Sequence, residues 1–239
     1  MHLRSSFVPD AVAAPLEYLV RKTTGRLGQP FNGQVKRQEI VSQIIKAADV
    51  DLVIETGSNI GTTTEYLSNN YDLPIYSCEV DNYFYKLAST RLSGRPKVKL
   101  YNTSSPNLLS ELGADQLLNG KTVLLYLDAH WYKYLPLKDE LKIVFEKFSC
   151  PIVLIDDFEV PDDRGYGFDD YGPEVGVLTW SFVAPSVPPD VRPLYPAAPS
   201  VEESGKRRGC VVLTSCAKAA AALAGLACLR QAGGAAEGA

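Results

Sequence analysis

The sequence predicts an α/β fold: a doubly wound, mostly parallel seven-stranded sheet with helices on both faces. Three observations predict it. Short apolar, β-rich runs alternate with helix-periodic segments along most of the chain, which implies successive βα units. Several of these runs end in an acid, at Glu55, Glu79, Asp128 and Asp156. And the first run, Leu52 to Ile54, passes through Glu55-Thr56-Gly57-Ser58-Asn59-Ile60-Gly61 into three threonines, the signature of a strand, a tight turn and a helix start.

Each element has its own warrant. Asp10 to Lys22 reads as a helix, followed by a polar link through Gly25, Gly28 and Gly33. Within Gln34 to Ala48 the apolar residues Ile40, Val41, Ile44 and Ile45 repeat with helical period. Strands are then expected at 52–55, 75–79, 97–101, 122–127 and 152–155. Helices fall between them at 62–69, 82–92, within 106–118 and across Leu135 to Phe148, where Leu137, Leu141, Val144, Phe145 and Phe148 share one face. Glu159 to Gly172, rich in Asp, Gly and Tyr, reads as a mobile lid over the strand ends, with Tyr166, Phe168 and Tyr171 covering an acceptor. Pro185 to Pro199 reads as an irregular connection, Val191–Tyr195 and Gly209–Thr214 as a final strand pair, and 217–230 as a closing helix. The expected organisation is an N-terminal helical segment at 1–48 on the substrate side, an α/β domain at 49–216 and an Ala-rich helix and tail at 217–239.

Composition narrows the class. The 239 residues, 46% hydrophobic and 22% charged, suffice for one such domain with a sizeable core. With 24 Lys and Arg against 28 Asp and Glu, the formal charge of -4 lacks the basic excess of a nucleic-acid binder. The five cysteines show no CxxC spacing and are read as reduced thiols. No membrane span or signal peptide is apparent, so the expected compartment is cytoplasmic. The expected partner is a small-molecule acceptor, not nucleic acid or membrane, with self-association into a homo-oligomer left open.

At the first turn, Gly57 permits a bend, and Gly61 permits close approach of a ligand or of a packed helix. The spacing ExGxxxG departs from the dinucleotide fingerprint GxGxxG, with Asn59 at the place of a middle glycine. Glu79 ends the second strand in Cys78-Glu79-Val80-Asp81, twenty-four residues after Glu55, where an acid can hold both hydroxyls of a ribose. NAD and S-adenosylmethionine both carry that ribose. ExGxxxG followed by CEVD resembles the cofactor half of a class I S-adenosylmethionine-dependent methyltransferase, which implies a Rossmann-like methyltransferase fold, S-adenosyl-L-methionine as cofactor, and Glu55, Gly57, Ser58, Asn59, Gly61, Glu79, Ser104, Ser105 and Asp128 as its binding residues. Ser104-Ser105 stands where many relatives have Asp-Ser beside the adenine.

Asp128, Asp156 and Asp157 gather three carboxylates at adjacent strand ends, which a hard cation such as Mg²⁺ would neutralise. Strand-end acids also serve as helix caps or lie in solvent. Leu127-Asp128-Ala129-His130-Trp131-Tyr132-Lys133 resembles the metal-binding segment of catechol O-methyltransferase, and Ile155-Asp156-Asp157-Phe158 the second metal segment of that family and of the macrolide sugar O-methyltransferases. The resemblance spans Val53 to Asp157 and implies Asp128, Asp156 and Asp157 as Mg²⁺ ligands; Ala129 is inserted between the Asp and the His. His130 and Lys133 are the candidate bases, each equally readable as structural or surface. The leading expectation is metal-assisted O-methylation of a hydroxylated small molecule such as a sugar or natural product. The alternatives are a metal-independent N- or O-methyltransferase, a nucleotide-dependent oxidoreductase and a non-catalytic cofactor-binding module.

Overall fold

A computed structural model describes residues 10–129 and 134–233. The helices α1 (Asp10–Thr23) and α2 (Val35–Ala47) precede a regular alternation: β1 (Leu52–Thr56), α3 (Thr62–Asn70), β2 (Ile75–Cys78), α4 (Asn82–Arg91), β3 (Val98–Tyr101), α5 (Ser105–Gly113), β4 (Thr122–Leu127), α6 (Leu137–Lys147) and β5 (Cys150–Asp156). After a long irregular stretch come the single-turn helix α7 (Trp180–Val183), β6 (Tyr195–Pro196), β7 (Cys210–Thr214), α8 (Ala217–Ala224) and β8 (Leu229–Arg230). The main sheet has the order β3-β2-β1-β4-β5-β7, parallel except for β7, which runs antiparallel to β5.

Burial on both faces explains the continuous apolar strands. Ile54, Leu125 and Val153 pack under Leu108 of α5 and Leu141 and Val144 of α6. Val53, Leu124 and Ile152 face Ile40 and Ile44 of α2, Leu67 of α3 and Leu223 of α8. Because successive strand residues alternate faces, the parallel register brings β1, β4 and β5 into alignment with their acids at one end.

Among the described residues the sheet has six strands rather than the expected seven. Val191–Tyr195 does not pair along β7; Leu194 makes a single bridge to Val212, and β6 instead pairs with β8 in a separate ribbon. Pro193 and Pro196 lack the N–H donors a ladder needs. The closing helix stops at Ala224, capped by Gly225, and the chain beyond turns into β8 instead of remaining helical to 230. The threonines after Gly61 do not cap α3 either. Thr62 donates to Leu27 O (2.8 Å), Thr63 accepts from Phe31 N (3.2 Å), and Thr64 donates to Glu55.

Not all the cysteines are reduced: Cys150, at the start of β5, and Cys216, at the N-terminus of α8, form a disulfide across 66 residues of sequence, with Cα atoms 4.9 Å apart. Neither cysteine belongs to a CxxC pair, and the sheet brings them together only after β7 has returned beside β5. Cross-linking a loop of this length removes unfolded-state entropy. Cys216→Ser is therefore expected to lower unfolding stability by about 2–4 kcal/mol, read as a fall in the urea midpoint that reductant reproduces in the wild type. Equal midpoints with and without reductant would show that the bridge adds nothing.

Candidate active site

The turn after β1 is shaped by close packing against the end of β4. Gly57 has φ +82°, and a Cβ there would lie 2.5 Å from Asp128 O. Gly61, at φ +73°, serves helix packing: a Cβ would meet Leu92 Cδ1 at 3.2 Å. Asn59 replaces a glycine yet adopts φ 49°, a left-handed conformation that asparagine tolerates. That bend aims its N–H at Glu79 Oε2 (2.8 Å), while Asp81 N donates to Oε1 (2.8 Å). The Glu79 carboxylate, 1% exposed, is thus fixed by two backbone donors with further lone pairs available.

Glu79 borders a cleft of about 200 Å³ over the strand ends. Gly57 and Val80 line it from β1 and β2, Ser104 and Ser105 from the start of α5, and Ala129 and Tyr134 from the chain after β4. Val80 and Tyr134, 57% and 55% exposed, offer apolar surface there. The sequence reading missed Val80. Of the expected cofactor residues, Gly57, Glu79, Ser104 and Ser105 line this cleft. Glu55, Ser58, Asn59, Gly61 and Asp128 stand behind or beside it. Ser58 and Ser77 hydroxyls lie 2.6 Å apart, and Glu55 accepts from Ser77 (2.5 Å) and Thr64. Burial lifts the Glu55 carboxyl to about 7 against the pull of those two hydroxyls.

The three aspartates are brought to one end of the sheet, but two of them already have cationic partners. Asp156, 0% exposed, is ion-paired through Oδ1 to Arg37 and accepts the Tyr126 hydroxyl at Oδ2 (2.5 Å). Burial works to raise its pKa, but the Arg37 charge and these hydrogen bonds hold it below the ordinary carboxylate value. Asp157, at φ 52°, accepts from Arg208 Nε (2.6 Å), and Arg208 also pairs with Asp169. Asp128 is half-buried, and burial followed by repulsion from Asp156, Asp157 and Glu55 raises its pKa well above normal. Among the described residues no group of three or more His, Cys, Asp or Glu side chains is arranged to hold a metal ion. The expected Mg²⁺ set does not fit: Asp156 has no accessible oxygen for an ion that keeps several waters.

The 159–172 segment is tied down rather than free to act as a lid. Gly167 and the 207–209 segment exchange backbone bonds (Gly167 N to Arg207 O, 2.9 Å; Gly209 N to Gly167 O, 2.8 Å), and Asp169 N donates to Asp157 O (2.9 Å). Tyr166 is buried with its hydroxyl on Ala198 O (3.0 Å), so it covers no acceptor. Tyr171 donates to Asp169 Oδ2 (2.5 Å) and remains half-buried beside the aspartates, with Phe168 also half-buried. His130, Trp131, Tyr132 and Lys133 lie outside the described residues.

No protein-family model and no curated protein matches the sequence. Solved structures do match. An O-methyltransferase from Bacillus cereus in complex with SAH is 12% identical, with 88% of this chain and 93% of that one covered and a TM-score of 0.52. MtNAS in complex with MTA and tNA is 10% identical, with 86% and 69% covered and a TM-score of 0.51. The fold is that of the S-adenosylmethionine-dependent methyltransferases. At this level of identity the likeness is one of fold.

On this methyltransferase fold the cleft has an acid behind its wall that the sequence reading also missed. Glu140 of α6 is fully buried, and neither Ser105 nor Thr56, its polar neighbours, meets it in good hydrogen-bonding geometry. Burial raises its pKa from 4.5 to about 7, against the pull of those two hydroxyls. A folded-state pKa above the unfolded one means that stability is fully present below the unfolded value and lost as pH rises through the folded value. Stability should therefore fall between about pH 4.5 and 7, by roughly 3 kcal/mol from this group. Glu140→Gln, measured by urea unfolding at pH 5 and pH 8, is expected to remove this group's share of the pH dependence and leave that of Glu55, which is also lifted to about 7; an unchanged pH dependence would rule Glu140 out as a source.

Proposed function

We propose that this protein is an S-adenosylmethionine-dependent methyltransferase acting on a hydroxyl of a small molecule such as a sugar or natural product. The observation that supports it best is the Glu79 carboxylate, fixed by Asn59 N and Asp81 N at the rim of the cleft. Two such lone pairs suit the paired hydroxyls of a ribose, and Val80 and Tyr134 give a purine an apolar surface beside the start of α5. When bound, S-adenosylmethionine supplies an electrophilic methyl group on a sulfonium. The chain's own task is alignment. Gly57 holds the end of β1 tight against the end of β4, so that Asp128 stands where the cleft meets Asp157 and Tyr171 and can orient an acceptor hydroxyl. The proposed bases for its proton, His130 and Lys133, follow in the chain after Ala129.

Mg²⁺ is not part of this reading, because Arg37 and Arg208 already neutralise the acids that would hold it. The net charge of -4 favours a small acceptor over nucleic acid, and among the described residues no helix is long and apolar enough to cross a membrane. Amide NMR separates this function from the oxidoreductase alternative. SAH should shift the resonances of 57–61, 79–81 and 103–105, whereas NAD⁺ at the same concentration should not. Shifts with NAD⁺ and none with SAH would replace the proposal by the oxidoreductase reading.

A further inference from the structure

The acidic end of β4 and β5 is held by an arginine clasp built from two distant parts of the chain. Arg37, third residue of α2, is 1% exposed and reaches Asp156 in the core. Its guanidinium also donates to Arg208 O (2.7 Å), as does Gln34 Nε2 (2.7 Å). The helix that carries it is anchored from the same place. Gln34 gives α2 no side-chain cap, and Glu203 supplies one instead, accepting from Lys36 N (2.9 Å) and Arg37 N (3.1 Å) while Ser204 Oγ accepts from Val35 N (2.9 Å). Arg208 then turns its own side chain to Asp157 and Asp169, on either side of the 159–168 segment. Two aspartates at adjacent positions thus meet two guanidiniums whose planar, fixed donors suit carboxylates.

We propose that Arg37 and Arg208 take the place of a divalent cation at this end of the sheet, holding Asp156 and Asp157 so that the acceptor site works with no bound metal. This rests on the methyltransferase reading for the site's purpose, but the clasp itself is independent of it. Both arginines are positioning residues. Arg37 sets Asp156 and, through it, the Tyr126 hydroxyl; Arg208, 23% exposed, sets Asp157 and the Asp169–Tyr171 pair.

The test is Mn²⁺ titration of the full chain by electron paramagnetic resonance, with Mn²⁺ as the probe ion and circular dichroism as the folding control. Wild type should show no site that Asp157→Asn abolishes. Arg208→Gln frees Asp157 and Asp169 together and should bind Mn²⁺ at least about tenfold more tightly than the residual surface binding of wild type, a gain of about 1.4 kcal/mol; Asp157→Asn in that background should cancel the gain, and Arg208→Lys should not produce it. A Mn²⁺ bound by wild type and lost in Asp157→Asn would overturn the proposal, as would a folded Arg208→Gln with no tighter binding. SAH affinity, measured separately on wild type, bears on the methyltransferase reading alone.

Discussion

Arg37→Met is expected to lower unfolding stability by about 3–5 kcal/mol, because it leaves the Asp156 charge buried without its cation. Asp156 is 0% exposed, so water cannot replace the guanidinium, and among the described residues Tyr126 remains as its one strong side-chain donor. The loss should reach the packing of α2 as well, since Arg37 ties that helix to Arg208 O. Adding Asp156→Asn removes the stranded charge and should restore part of the stability. Urea unfolding of the two variants checks this; a loss under about 1 kcal/mol in Arg37→Met would mean that the pair is solvated as a surface pair is.

Gly57→Ala should damage both stability and the cleft. A Cβ would sit 2.5 Å from Asp128 O and 2.9 Å from Asp128 C, against backbone that cannot swing aside, in a residue at φ +82°. Left-handed strain and overpacking together come to about 2–5 kcal/mol. Relief requires β1 and β4 to part where Gly57 and Ala129 line the cleft, so SAH binding should weaken at least about tenfold. Gly61→Ala is the control. Its Cβ would meet the flexible end of Leu92, and a smaller effect on affinity is expected. Thermal unfolding and calorimetry on both variants decide it, and equal affinities for wild type and Gly57→Ala would mean that the turn does not shape the site.

The parallel sheet and the Glu79 rim were legible because alternation, strand-end acids and glycine spacing are local patterns. The metal expectation went astray because a run such as Ile155-Asp156-Asp157-Phe158 names the acids but not their partners. Part of the signal was present. Arg37 lies three and four residues before Ile40 and Val41, on the apolar face of α2, so a charge there demanded a buried partner. Tyr126 pairs with Leu154 in register, which puts it on the same face as Asp156 two residues on. Arg208 gave no such signal, since it sits in a polar turn and meets Asp157 only through the return of β7 beside β5. The Cys150–Cys216 bridge depends on that same return. Glu140 was hidden because an acid in the first turn of a helix reads as ordinary surface charge.

Titration calorimetry with S-adenosylhomocysteine on wild type and Glu79→Ala tests the cofactor site most directly. One saturable site per chain in wild type, weakened at least about a hundredfold in a folded Glu79→Ala, is the predicted result. No binding to wild type, or equal affinity in the two proteins, would contradict it.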